Sequence, residues 1–203
     1  SEENRKVLEA SIEKNRTRIE KIETDQNYIS TNKEYLDRGI TANIKLTGLQ
    51  AKSKKTKEDE AEIAVRGNTI NSQSPPCLQM YYYIEKYSEQ YGIPRNYAFG
   101  VAFKETRYEG PFQWKYNPGQ ESYVGAVGPM QIMPATARMM WKGKVINKNN
   151  LKTDIRFNIE TSMKLLKHLH KTYGDWKLVF GAYNTGRPMV NQYAIDVYNY
   201  KIR

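Results

Sequence analysis

The chain has 203 residues, a formal net charge of +10 and 39% hydrophobic residues. This length allows one mid-sized domain and an accessory segment. The single cysteine, Cys77, excludes an intramolecular disulfide, and no apolar run reaches the length of a membrane span. No signal-peptide pattern follows Ser1, and the absence of an initial Met indicates a processed chain or a fragment.

Composition changes near Pro75. Residues 1–74 hold two of the 21 Phe and Tyr residues and a net charge of +1, from 14 Lys/Arg against 13 Asp/Glu. Residues 75–203 hold all three tryptophans and a net charge of +9, from 18 against 9. The core-forming part therefore begins near Pro75. Its basic surface favours an anionic partner such as a cell-wall polymer, lipid or nucleic acid. No pattern of a base-reading module is present, so we expect no specific nucleic-acid partner.

The N-terminal segment 1–40 predicts a coiled-coil helix. Seven of its ten a and d positions are apolar, namely Leu8, Ile12, Ile19, Ile22, Ile29, Leu36 and Ile40. This repeat favours self-association, and one amphipathic helix docked on a larger assembly is the alternative. We expect the helix to end at Gly39. Residues 41–76 then predict a polar linker with a short helix around 56–66.

The remaining residues, 77–203, predict a mainly α domain with an irregular or small hairpin excursion at 108–127. Helices are expected over residues 78–91, 95–107, 134–142, 155–173, 175–184 and 187–200. Gly92 and Gly174 close two of them, and Pro134 lies near the start of another.

Glu105 is the first candidate for chemistry. On the predicted helix it shares a face with Ala98 and Ala102, and small side chains leave room for a ligand. Burial of a carboxyl group favours its protonated form, which suits a general acid. The alternative is a surface glutamate paired with Lys104 or Arg107.

Two further strings carry polar residues beside glycines. The first runs from Gly125 to Ala137, and its Gln131 offers the donor and acceptor that an N-acetyl amide would require. The second contains Tyr183 and Asn184 at a predicted helix end before Gly186. A Tyr hydroxyl can donate to a carboxylate. For each string taken separately, packing and capping are the alternative.

Together these strings resemble the lytic transglycosylases, which have a goose-type-lysozyme-like fold, over roughly residues 80–203. Glu105-Thr106 is similar to the family's Glu-Ser pair. The string from Gly128 through Gln131 is similar to its Gly-Leu-Met-Gln, and Ala182-Tyr183-Asn184 is similar to its Ala-Tyr-Asn. Ser122 matches the serine before the Gly-Ala-x-Gly string, Asn158 matches the start of the next long helix, and Asp196 stands where the family has a cleft-lining Glu. Thr106, Pro129 and Asp196 are substitutions within these motifs.

The resemblance implies a reaction with one carboxyl group. Glu105 would protonate the glycosidic oxygen between MurNAc and GlcNAc of peptidoglycan, and then remove the proton of the muramyl 6-hydroxyl to close a 1,6-anhydro ring. Tyr183 would orient Glu105. The remaining substrate-binding residues implied are Thr106, Ser122, Gly128, Met130, Gln131, Asn184 and Asp196. No metal or other cofactor is implied.

Two other functions stay open. A lysozyme-like hydrolase would need a second carboxylate, for which Glu109 and Glu121 are candidates. A structural or adaptor protein would use the domain only to bind glycan. The coiled coil suggests a component of a larger machine. We expect a phage virion protein that opens the wall locally, with a secretion or conjugation apparatus as the alternative.

Overall fold

The computed structural model describes residues 1–202, except for the side chains of 27–32, 34–36, 38 and 39. The chain divides into two units, Ser1–Lys55 and Thr56–Arg203. The first unit lies within the segments predicted as coiled coil and linker. The second begins earlier than the domain predicted from residue 77.

The first unit is one helix, α1, spanning Glu2–Ala51. Its sequence is rich in Glu, Lys and Arg, which are good helix formers, and the Ser1 side chain accepts a hydrogen bond from the Asn4 backbone N–H. The predicted end at Gly39 is wrong, because a glycine inside a helix costs only about 1 kcal/mol and no proline follows it.

The predicted coiled-coil face of α1 is exposed where its side chains are described. Leu8, Ile12, Ile19, Ile22 and Ile40 are 52–61% accessible to solvent. The heptad positions Ile29 and Leu36 lie outside the described side chains. Pairing of this face with a partner stays a prediction.

The second unit contains eight described helices. They are α2 (Lys57–Arg66), α3 (Pro76–Tyr91), α4 (Arg95–Thr106), α5 (Pro134–Met140), α6 (Lys148–Thr153), α7 (Ile155–Tyr173), α8 (Trp176–Thr185) and α9 (Gln192–Tyr198). The prediction of a mainly α domain is confirmed. Helix α9 is shorter than the predicted 187–200, and α6 was not predicted.

Helix α2 belongs to this unit although it was assigned to the linker. Its N-terminus is fixed by a capping box, in which Thr56 and Asp59 bond each other's backbone N–H. Ala61 of α2 and Ile70 beyond it are buried at 4% and 8% exposure. The segment before residue 77 therefore adds to the core instead of serving only as a polar linker.

The core lies where α3, α7 and α8 pack together and where α4 packs against α9. Its most enclosed side chains include Met80, Ile84, Ile159, Leu166 and Phe180. Gly100 permits the close approach of α4 to the C-terminus, since a Cβ there would lie 2.9 Å from Cβ of Tyr200. This packing places the end of α4 beside α9.

Residues 107–133 are irregular, as expected. Val127 forms isolated antiparallel bridges with Glu121 and with Ile132. Within residues 1–202, no helix is long and apolar enough to cross a membrane.

Candidate active site

Glu105 lies in the last turn of α4. Ala98 and Ala102, on the same face, are fully buried, and Arg107 ends the helix in the left-handed region with φ of 60°. The Glu105 side chain is partly buried, and its Oε2 accepts a hydrogen bond from the Tyr193 hydroxyl at 2.8 Å.

Burial raises the pKa of Glu105 to about 7, while the Tyr193 hydrogen bond and the Lys104 charge act in the opposite direction. Desolvation is the larger effect because it penalises the charged carboxylate. A carboxyl group that titrates near neutral pH can both donate and accept a proton during one reaction cycle.

The tyrosine that bonds Glu105 is not the predicted one. The Tyr183 hydroxyl lies 2.7 Å from the Met130 carbonyl oxygen and 2.8 Å from Ser162 Oγ. A phenol has one proton, so Tyr183 donates to Met130 and accepts from Ser162. The predicted orienting contact of Tyr183 is therefore wrong in this structure. The hydrogen bond to Glu105 comes from Tyr193 instead.

Thr106 follows Glu105 in the chain, and its side chain is enclosed by the protein. Its side chain is 3% exposed, and its hydroxyl donates to the Pro129 carbonyl oxygen at 2.8 Å. The Tyr116 hydroxyl bonds the same Thr106 oxygen. Thr106 therefore ties the end of α4 to the loop at Pro129. Its predicted contact with substrate is contradicted by its burial.

Asn158 of α7 organises the same loop. Its amide group donates to the carbonyl oxygens of Val127 at 2.9 Å and Leu151 at 2.8 Å, and accepts from the Met130 N–H at 2.8 Å. Gly128 has φ of 78°, and a Cβ there would lie 2.3 Å from Asn158 Nδ2. The Met130 side chain is fully buried. Gly128 and Met130 thus shape the loop, and direct binding of substrate by the Met130 side chain is excluded by its burial.

Ser122 and Gln131 hold the two ends of the irregular hairpin. Ser122 Oγ accepts from the Ala126 N–H at 3.0 Å. Gln131 has φ of 53°, and its Nε2 donates to the carbonyl oxygens of Gln120 at 3.1 Å and Gly128 at 3.0 Å. Both side chains are partly exposed, so the structure leaves them accessible to a ligand.

Asn184 and Asp196 lie in the C-terminal part of the site. Asn184 is exposed, and its Oδ1 accepts from Asn191 Nδ2 at 3.0 Å. Asp196 forms an ion pair with Lys104 at 2.8 Å and accepts from Gln192 at 2.8 Å, and these contacts lower the pKa of Asp196.

The two candidate second carboxylates are exposed. Glu121 pairs with Lys148 and Lys152, which lower its pKa, and Glu109 is also on the surface. The charge of Lys104 lowers the pKa of Glu105, against the larger effect of burial. In the same part of the chain, no cluster of three His, Cys, Asp or Glu residues could hold a metal ion.

The signals for these functional residues differ. Glu105, Gln131 and Tyr183 lie in recognisable strings, whereas Tyr193 and Lys104 do not. Tyr193 and Asp196 are three residues apart in the predicted last helix, so a common face could have been recognised from their spacing. The contacts of Lys104 with Asp196 and of Glu105 with Tyr193 could not be deduced without the packing of α4 on α9.

This arrangement defines an α-helical domain in which the Glu105 carboxyl group is partly buried and has a pKa raised to about 7. The model of the transglycosylase SLT domain family matches residues 82–203. The chain belongs to that family, and the predicted relationship to lytic transglycosylases is confirmed. No curated protein matches the chain.

Two solved structures are similar to it. The 70-kDa soluble lytic transglycosylase in complex with bulgecin A has 23% identity and a TM-score of 0.44, covering 74% of this chain and 26% of that chain. The 70-kDa soluble lytic transglycosylase from Escherichia coli has 21% identity and a TM-score of 0.45, covering 77% and 24%. The chain thus spans about a quarter of the length of these proteins.

Proposed function

We propose that the domain cleaves the β-1,4 bond between MurNAc and GlcNAc in peptidoglycan and leaves a 1,6-anhydro-MurNAc end. The observation that carries this proposal is the partly buried Glu105 carboxyl group, which accepts a hydrogen bond from Tyr193 and whose pKa is raised to about 7 by burial. Membership of the transglycosylase SLT domain family supports the same substrate class.

The first step is proton transfer. Tyr193 donates to Oε2 of Glu105, which leaves Oε1 as the oxygen that carries and delivers the proton. The proton goes to the glycosidic oxygen, the bond from MurNAc C1 to that oxygen breaks, and the GlcNAc hydroxyl leaves. Positive charge develops at C1, where the substrate's own N-acetyl oxygen can stabilise it.

The second step returns the proton. The Glu105 carboxylate removes the proton of the muramyl C6 hydroxyl, and its oxygen forms the new bond to C1. Glu105 is protonated again, and water is not consumed. Retaining and inverting hydrolases usually place a second carboxylate about 5–10 Å from the acid. Glu109 and Glu121, the candidates for this second carboxylate, are exposed.

The test is mass spectrometry of soluble products from purified peptidoglycan. The wild-type protein should release anhydromuropeptides, and Glu105→Gln should release none because an amide cannot transfer the proton. Glu109→Gln is the matched control on an exposed carboxylate and should keep wild-type activity. Reducing-end products would support hydrolysis instead, and binding without cleavage by the wild-type protein would support the adaptor function.

We further propose that α1 pairs with α1 of a second copy and carries the domain as part of a larger cell-wall-penetrating assembly. The exposure of Leu8, Ile12 and Ile19 at heptad spacing supports pairing, because isolated apolar faces of this length are unfavourable in water. Light scattering should give a dimer or higher oligomer, and Ile12→Asp/Ile19→Asp should give a monomer. A wild-type monomer would instead favour docking on another protein.

The site of action is part of this proposal. We infer delivery to the cell wall from a phage virion, with a secretion apparatus as the alternative source. A peptidoglycan zymogram of purified virions should show a band at the mass of the protein that contains this chain. No band would contradict the virion assignment and leave the cleavage chemistry unaffected.

A further inference from the structure

Two neighbouring side-chain contacts join α4 to α9. Glu105 bonds Tyr193 at 2.8 Å, and the preceding residue, Lys104, pairs with Asp196 at 2.8 Å. Tyr193 and Asp196 are three residues apart in α9 and therefore lie on one helix face. The acid and an ammonium group are thus held by neighbouring residues of the same helix.

The Lys104 ammonium lies close enough to act on the acid. Its Nζ is 5.9 Å from the centre of the Tyr193 ring, whose hydroxyl touches Glu105 Oε2. The Lys104 side chain is 26% exposed, so it has lost much of its hydration and needs an anionic partner. Two carboxyl groups are near it, Asp196 and Glu105, and it is paired with Asp196.

Asp196 is well suited to retain this cation. Its Oδ2 contacts Lys104, and its Oδ1 accepts from Gln192 Nε2 at 2.8 Å. Gln192 lies one turn earlier in α9 and fixes the carboxylate. Both oxygens of Asp196 are therefore used inside the protein, which argues for a positioning role instead of direct contact with a sugar.

We propose that Asp196 is a positioning residue that holds the Lys104 ammonium away from Glu105 and so keeps the acid protonated at neutral pH. The inference rests on the proposed function and adds a means of setting its working pH. Without the Asp196 charge, Lys104 would turn to Glu105, and an ion pair there would stabilise the carboxylate, which cannot protonate the glycosidic oxygen.

The other groups that face Glu105 do not compete with this effect. Tyr193 from α9 bonds the acid directly, and Tyr183 from α8 lies near it. Burial raises the pKa of both phenols well above their ordinary value, so both stay neutral in the working range. Lys104 and Asp196 are therefore the charged groups whose effects on Glu105 must be separated by substitution.

The test is the pH profile of kcat for release of anhydromuropeptides. Asp196→Asn keeps the shape of the side chain and removes its charge. We expect its alkaline limb, where the acid loses its proton, to move to lower pH by roughly 1 unit. Lys104→Met should move the limb to higher pH, and Lys104→Met/Asp196→Asn should reverse the shift of Asp196→Asn.

A purely structural ion pair would behave differently. The single variants would then lose kcat and melt at lower temperature without a change in the limb, and the double variant would not recover. That result, or an unmoved limb in Asp196→Asn, would overturn the inference. If the wild-type protein releases no anhydro product, the proposed reaction fails first, and NMR titration of the Glu105 carboxyl group in the same variants still tests the Lys104 switch.

Discussion

Burial of Glu105 disfavours its charged carboxylate, so the contribution of this residue to stability depends on pH. The pKa rises from 4.5 to about 7 on folding, so the folded protein holds a proton that the unfolded chain has released between these values. The contribution of Glu105 to stability therefore falls as pH rises from about 4.5 to about 7 and remains lower above that range. The upper limit of this loss is roughly 3 kcal/mol.

Glu105→Gln should remove this loss. We expect the variant to be more stable than the wild-type protein at pH 8 and to match it within about 1 kcal/mol at pH 4, since a neutral amide resembles the protonated acid. Urea unfolding at both pH values measures the difference. Equal stability gains at pH 4 and pH 8 would show that the carboxyl charge is not the cause.

Tyr193→Phe separates the hydrogen bond from the packing of the ring. Without the hydroxyl, Oε2 of Glu105 loses its donor, so we expect kcat to fall roughly 10- to 100-fold as the acid loses its orientation. The alkaline limb should move to higher pH, because the lost bond favoured the carboxylate. Tyr183→Phe is the control. It removes the bond to Met130 and should lower the melting temperature with little movement of the limb.

At the scale of single residues, the sequence was enough to single out Glu105 and the loop residues that carry motifs, and their roles stay predictions. It did not allow assignment of which tyrosine contacts the acid, because Tyr183 and Tyr193 both lie in C-terminal helices and the choice depends on packing. Nor does a motif distinguish an accessible side chain from an enclosed one. Thr106 and Met130 resemble family positions, but the structure encloses both side chains.

At the scale of elements, the loop 125–133 depends on Gly128. Alanine there would have to adopt φ of 78° and would place Cβ 2.3 Å from Asn158 Nδ2. Gly143 has φ of 82° but open space around it, so Gly143→Ala is a control for backbone strain alone. We expect Gly128→Ala to be about 1–3 kcal/mol less stable than Gly143→Ala in chemical unfolding. Equal losses would mean that the loop can move away from Asn158.

The long helices of the second unit were predictable because their apolar periodicity and glycine ends agree. Helix α6 was not, since Lys148–Thr153 is six residues long and its start depends on capping by the Asn147 side chain. Helix α1 was predicted too short because Gly39 was given the weight of a helix end. A glycine alone does not end a helix, and no proline lies between Gly39 and Ala51.

At the scale of the whole molecule, the boundary of the second unit is set by burial and not by composition. Residues 56–75 are polar, which led to their assignment as a linker, but Ala61 and Ile70 enter the core. Gln79, in α3, also donates to the carbonyl oxygens of Ser72 and Ser74 at 3.2 and 2.7 Å. The segment before Pro76 therefore completes the packing of α3.

Two truncations test this boundary. Residues 56–203 should fold and keep glycan cleavage, because that unit retains its whole core. Residues 77–203 should be about 2–4 kcal/mol less stable than residues 56–203. This truncation removes the buried Ile70 and the two carbonyl oxygens that accept hydrogen bonds from Gln79. Thermal unfolding of both, with product analysis by mass spectrometry, measures the effect. Equal melting temperatures would place the boundary at residue 77, and loss of folding in 56–203 would mean that the unit depends on α1.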